Sequence, residues 1–97
     1  MAALNEIIHQ PVRLQIMAAL VTLEPDNEVD FTYLRDLLEV TDGNLGAHLR
    51  KLDEAGYIAV NKTFVERKPR TFVAATAEGR KVFQEHVAAL EAILKRK

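Results

Sequence analysis

Val40-Thr41-Asp42-Gly43-Asn44-Leu45-Gly46-Ala47-His48-Leu49-Arg50-Lys51-Leu52-Asp53-Glu54-Ala55-Gly56-Tyr57-Ile58 is the stretch that decides how the rest of the chain is read. Leu45, Leu49 and Leu52 stand at i, i+4 and i+7, so they share one face of a helix. Thr41 suits the N-cap, because its hydroxyl can accept from an orphan N–H of the first turn. Asp42 then lies at the positive end of the helix dipole. Gly56 follows the last apolar residue of the pattern, where a left-handed residue commonly ends a helix. The face away from the leucines carries Asn44, Ala47, His48 and Lys51, with Arg50 at its edge. It is polar, cationic and low in bulk. Gly43 and Gly46 each cost a helix about 1 kcal/mol against alanine. Either an external backbone approaches closely there, or the preceding helix packs tightly on them.

The segment before this one reads as a second helix. Val29-Asp30-Phe31 suits a very short strand. Thr32 or Asp30 can then cap a helix running through Glu39, with Phe31, Leu34, Leu37 and Leu38 facing inward. Val40-Thr41 is the tight turn between the two helices. After Gly56, Tyr57 to Phe64 and Thr71 to Ala75 are rich in β-branched and aromatic residues and read as strands. Between them, Val65-Glu66-Arg67-Lys68-Pro69-Arg70 reads as a turn with three bases and a proline, the cationic tip of a hairpin. Thr76 caps a final helix in which Phe83, Val87, Leu90 and Leu94 form a stripe widened by Val82, Ala89 and Ile93.

At the other end, Leu4 to Gln10 reads as a short helix with Leu4, Ile7 and Ile8 on one side. Pro11 opens a new helix through Leu23 that is apolar nearly all round, as a helix buried on several sides is. Glu24-Pro25-Asp26-Asn27-Glu28 is a turn.

Ninety-seven residues make one domain at most, and 48% apolar residues make a folded one. There is no cysteine, which excludes disulfides and thiolate metal sites and fits a cytoplasmic protein. No run approaches the roughly 20 apolar residues that span a bilayer, so no membrane partner is expected. The net charge of −1 conceals an asymmetry. Residues 1–40 hold seven acids and two bases, and residues 41–75 hold four acids and six bases. The positive charge thus lies in the helix and hairpin just described. Catalytic residues, a metal site and a cofactor are not expected. No nucleophilic cysteine or phosphate-binding glycine loop is present, and His9, His48 and His86 fall on separate helices without ligand spacing.

The order of parts resembles the small prokaryotic MarR/ArsR-type winged helix-turn-helix transcriptional regulators. The resemblance rests on His9-x-Pro11-x-Arg13-Leu14-x-Ile16 and on Phe31-x-x-Leu34. Its most specific block is Thr41-Asp42-Gly43-Asn44-Leu45-x-x-His48-Leu49-x-Lys51-Leu52-x-x-x-Gly56-Tyr57-Ile58. Arg67-x-Pro69-Arg70-Thr71 and Thr76-x-x-Gly79-Arg80 complete it. It implies a homodimer on operator DNA and no enzyme, and the metal-sensing branch's thiolates or clustered His/Asp are absent.

The expected architecture is mainly α with a β-hairpin wing, a single winged-helix domain over 1–97. The helix-turn-helix spans about 32–55, the wing about 57–75 and a C-terminal dimerisation helix about 77–95. The expected DNA contacts are Thr41, Asn44, Ala47, His48, Arg50 and Lys51 on the helix, and Lys62, Arg67, Lys68 and Arg70 on the wing. The expected dimer interface joins the N- and C-terminal helices through Leu4, Ile7, Ile8, Phe83, Val87, Leu90 and Leu94. The near-neutral charge also permits a winged-helix module for protein–protein interaction without sequence-specific DNA binding. Any small-molecule effector is unknown.

Overall fold

Helix α1 (Pro11–Val21) opens on a proline, whose missing N–H would have no helical partner at that position anyway. The Gln10 side chain caps it, accepting the Arg13 N–H at 2.8 Å. Ile16, Met17 and Leu20 are fully buried, and Val12, Leu14, Ala19 and Val21 pack around them. The all-round apolar character of α1 is explained by its place, in contact with α2, α3, α4 and β3. The structure, a computed structural model, describes residues 4–25 and 27–96. Asp26, in the acidic turn after α1, lies outside the described residues. That turn closes with the Asn27 N–H on the Glu24 carbonyl at 3.1 Å.

Among the described residues no separate helix forms before Pro11. Residues 6–8 make one turn, with the His9 N–H on the Asn5 carbonyl at 2.7 Å. Proline cannot continue a helix that precedes it, and seven residues are too few to hold one alone.

The strand β1 (Val29–Asp30) leads directly into α2 (Phe31–Leu38), where the Asp30 carboxylate accepts the Thr32 N–H at 2.7 Å. Of the four apolar residues expected to face inward, Leu34 is buried and Phe31 and Leu38 pack at the core edge. Leu37 instead is 53% exposed, because it lies roughly 100° around the helix from Leu38. Helix α3 (Asp42–Glu54) follows a short turn and buries Leu45, Leu49 and Leu52. It stops in a Schellman motif. The Gly56 N–H bonds the Asp53 carbonyl at 2.9 Å and the Tyr57 N–H that of Leu52 at 3.0 Å. Gly56 has φ +81°, where a β-carbon would be strained.

The strands β2 (Ile58–Val65) and β3 (Lys68–Ala75) pair antiparallel, and β1 adds to the other side of β3, giving the order β1-β3-β2. The register runs from Ile58 opposite Ala75 to Val65 opposite Lys68. The hairpin turn is therefore only Glu66 and Arg67, both left-handed at φ 52° and 68°. That is a two-residue loop of the kind whose twist matches the strands. Lys68, Pro69 and Arg70, expected in the turn, belong to β3 instead. Pro69 is tolerated because it lies beyond the two residues of β3 that β1 covers.

Helix α4 (Ala77–Leu94) is capped by Thr76, whose hydroxyl accepts the Gly79 N–H at 2.9 Å and donates to the Gly56 carbonyl at 2.7 Å. Its first turn lies on the backbone that ends α3. A β-carbon on Gly79 would overlap the Tyr57 carbonyl. Arg80 donates to the carbonyls of Val21 at 3.1 Å and Leu23 at 2.9 Å, satisfying the orphan end of α1. The core that all these elements enclose contains Ile8, Ile16, Met17, Leu20, Leu34, Leu45, Leu49, Leu52, Ile58 and Val73.

Candidate nucleic-acid interface

Two short connections set how α3 is presented. Glu39 ends α2 at φ 55°, and the Val40 N–H bonds the Arg35 carbonyl at 3.3 Å. Thr41 then caps α3, its hydroxyl accepting the Asn44 N–H at 3.1 Å. Arg35 ties the two helices together, donating to Asp36 at 3.0 Å and to Asp42 at 2.8 Å. Those two carboxylates raise the Arg35 pKa above its usual value, Asp42 most. Arg35, shared with Asp36, thereby offsets part of the Asp42 charge at the helix start, where a free carboxylate would repel phosphate.

The exposed side of α3 carries Gly43, Asn44, Ala47, Arg50, Lys51 and Glu54. A β-carbon on Gly43 or Gly46 would meet nothing within 4 Å, so tight packing against the preceding helix does not account for either. His48 differs from the expectation of a fully outward residue. It is half-buried on the flank that meets α1, and Arg13 donates to its Nδ1 at 3.2 Å. Arg13 also donates from Nε to the Ile7 carbonyl. Burial first, and the Arg13 charge second, lower the His48 pKa. Neutral His48 therefore carries its proton on Nε2.

Across from α3, residues 61–70 of the hairpin are all exposed. Lys62 projects from β2, Arg67 from the turn and Lys68 from β3. Arg70 is not a free cation, because it donates to Asp30, the cap of α2. That bond is the chief reason the Asp30 pKa lies below the usual carboxylate value. Between wing and α3 is a groove of about 360 Å³. Gly46, Arg50 and Asp53 form one wall, Val60, Lys62 and Thr71 the other, with Phe31 and Leu49 also lining it.

The residues expected at a dimer interface divide. Ile8 is fully buried in the chain's own core and is not available to a partner. Ile7 is half-buried and packs on that core, and Leu4 is half-buried. On α4, Gly79, Val82, His86 and Ala89 face inward, so Val82 and Ala89 do not widen an outer stripe. Phe83 is half-buried and packs on the core edge, Val87 and Leu90 are half-buried, and Leu94 is 81% exposed. A second groove, of about 340 Å³, runs beside Val21, Phe83 and Val87.

His86 is 1% exposed and accepts the Asn5 N–H on Nδ1 at 3.0 Å, with His9 Nδ1 at 3.4 Å from its Nε2. Asn5 also reaches the Tyr57 hydroxyl at 3.0 Å. Burial, then the neighbouring His9, lower the His86 pKa. Among the described residues no group of three or more His, Asp or Glu is placed to hold a metal ion. Nor is any described helix long and apolar enough to cross a membrane. The roles of Arg13 and Asn5 are not visible in the sequence, since their partners His48, His86 and Tyr57 lie far along the chain.

Two helices joined through a tight turn, the second exposed beside a twisted hairpin, define a winged helix-turn-helix protein. The chain matches the model of the winged helix DNA-binding domain family over residues 12–94 and belongs to that family. It is 35% identical to an uncharacterized protein of Methanocaldococcus jannaschii over 82 residues, which are 84% of this chain and 86% of that one. A solved transcriptional regulator homologue from Pyrococcus horikoshii superposes with a TM-score of 0.83 at 32% identity, over 93% of this chain and 86% of that one. The transcriptional repressor BigR from Xylella fastidiosa shares the fold, with a TM-score of 0.66 at 20% identity over 95% of this chain and 84% of its own. The chain is a DNA-binding transcriptional regulator and not an enzyme.

Proposed function

We propose that the chain works in the cytoplasm as a homodimer of MarR/ArsR type that binds operator DNA, with α3 in the major groove and the wing on the flanking backbone. The observation that carries this is the meeting of Arg50 from α3 and Lys62 from β2 across one open groove. Asn44, Ala47 and Lys51 are the base-edge contacts, since Asn pairs with adenine, Lys donates to guanine and a methyl can touch thymine. His48 adds one donor through Nε2, the nitrogen that Arg13 leaves free. Thr41, Arg50, Lys62, Arg67 and Lys68 hold phosphates and set the register. Arg70, bonded to Asp30, fixes the angle of the wing to α2 rather than gripping DNA alone.

The dimer is supported by α4, where Val87, Leu90 and Leu94, continuing from Phe83 at the core edge, are left over once the inner face has served the core. A two-fold pairing buries such a stripe against itself. Sequences selected from a random duplex pool by the wild-type protein test the reading. Retention should weaken steeply with salt, and Asn44→Ala and Lys51→Ala should change the selected sequence. Leu90→Asp should turn a sedimenting dimer into a folded monomer. Retention that is indifferent to salt would favour a protein-binding module instead.

A further inference from the structure

Residues 61–70 hold four bases, Lys62, Arg67, Lys68 and Arg70, against one acid, Glu66. In that cationic setting stands Phe64, 73% exposed. Side chains alternate along a strand, so Phe64 shares a face with Val60 and Lys62, and its cross-strand neighbour is Pro69. That face starts in the core at Ile58 and Val73 and passes through the groove at Val60, Lys62 and Thr71. It ends on the Phe64 ring, about 13 Å along the strand from Val60. The opposite wall of the groove is α3, so the ring looks toward the same side as Arg50. The ring thus stands in solvent on a hairpin that is otherwise cationic. The charge around it selects a polyanion, and the ring selects one with an apolar interior. Duplex DNA has both, phosphates outside and stacked bases within.

We propose that Phe64, backed by Pro69, is a wedge that enters the minor groove beside the segment read by α3 and loosens one base step, while Arg67 and Lys68 hold the phosphates on either side. The inference rests on the DNA-binding reading above and adds to it a source of sequence preference without hydrogen bonds. Unstacking is least costly at pyrimidine–purine steps, so the wedge favours TA or CA at a position that Asn44 and Lys51 do not touch.

The chain has no tryptophan, so Phe64→Trp places a sole indole at the wing. The duplexes are ones selected by the wild-type protein, carrying either TA or AA at the step under the wing. Indole emission should be quenched by the bases on saturation with the TA duplex. Wild-type protein should bind the TA duplex about tenfold more tightly than the AA duplex. Phe64→Thr, which keeps a strand-forming residue at an exposed site, should melt like the wild type and bind both duplexes alike. Emission unchanged at saturation, a preference retained in Phe64→Thr, or equal losses on both duplexes would each overturn the wedge while leaving DNA binding intact. Wild-type protein that bound no duplex would instead overturn the DNA-binding reading, and the wedge with it.

Discussion

At Gly79 a β-carbon would overlap the Tyr57 carbonyl, whereas at Gly43 and Gly46 it would meet nothing within 4 Å. All three glycines lie inside helices, where each is unfavourable by about 1 kcal/mol relative to alanine. At the junction of α4 with the end of α3, the protein's own backbone requires the missing side chain. On the open side of α3, nothing in the folded chain does. The first region is closed on itself, with Thr76 bridging Gly56 and Gly79 and Arg80 capping α1. The second is left open beside a groove walled by Arg50 and Lys62. Residues that cost stability without an internal reason mark the surface that a ligand completes.

The largest effect should come from the closed region. Gly79→Ala should cost about 3 kcal/mol or more, because the overlap is with backbone and cannot be relieved by a rotamer. Urea denaturation reads it directly, and a loss under about 1 kcal/mol would mean that α4 can lift off Tyr57 cheaply. Leu49→Ala, in the core face of α3, should cost on the order of 2–5 kcal/mol. In the open region the pattern reverses. Arg67→Ala with Lys68→Ala should leave the melting curve within about 0.5 kcal/mol of the wild type. The slope of log affinity against log salt should fall by about two units, one for each phosphate no longer neutralised. An unchanged slope would remove the wing from the interface. Gly46→Ala should raise stability by up to about 1 kcal/mol while weakening DNA binding, and a destabilised variant would restore an internal packing role.

The smallest effect is graded with pH. His48 and His86 both have native pKa values below the ordinary one near 6.5, so the unfolded chain takes up protons first as pH falls. Their contribution to stability is complete above that value and is lost as pH falls through the native ones. Denaturation midpoints should therefore decline between pH 7.5 and pH 5. His86→Gln, which keeps an acceptor for the Asn5 N–H, should flatten part of that decline. An unaltered decline would place the titration elsewhere.

The elements that a sequence displays well here are those whose signals are local. Thr41, the leucine spacing and Gly56 define α3 at both ends because cap, stripe and stop all act within a few residues. Thr76 marks the start of α4 in the same way. The wing turn is disguised. Lys68-Pro69-Arg70 has the composition of a turn, while the residues that turn, Glu66 and Arg67, are not types that advertise a left-handed backbone. His48 shows the limit of a two-faced view of a helix. Its spacing from Asn44 and Lys51 is right for a shared face, but that flank is where α1 and Arg13 arrive. Ile8 looks like a spare apolar residue on a short helix because nothing nearby reveals that its turn folds back into the core. Gly79 is conspicuous in sequence, yet its reason, the Tyr57 carbonyl, comes from the far side of the wing.

Arg80 holds the Val21 and Leu23 carbonyls where α1 ends, while His86, further along α4, holds Asn5 in the segment that precedes α1. α4 therefore ties down the chain on both sides of α1, and α1 in turn steadies α3 through Arg13 and His48. In a dimer built on α4, this makes each half a stiff caliper arm. The gap between the two reading helices is then set by the protein rather than adjusted to the DNA. Half-sites one helical turn apart, about 10 base pairs, would be accepted, and inserting or deleting a few base pairs between them would disengage one arm.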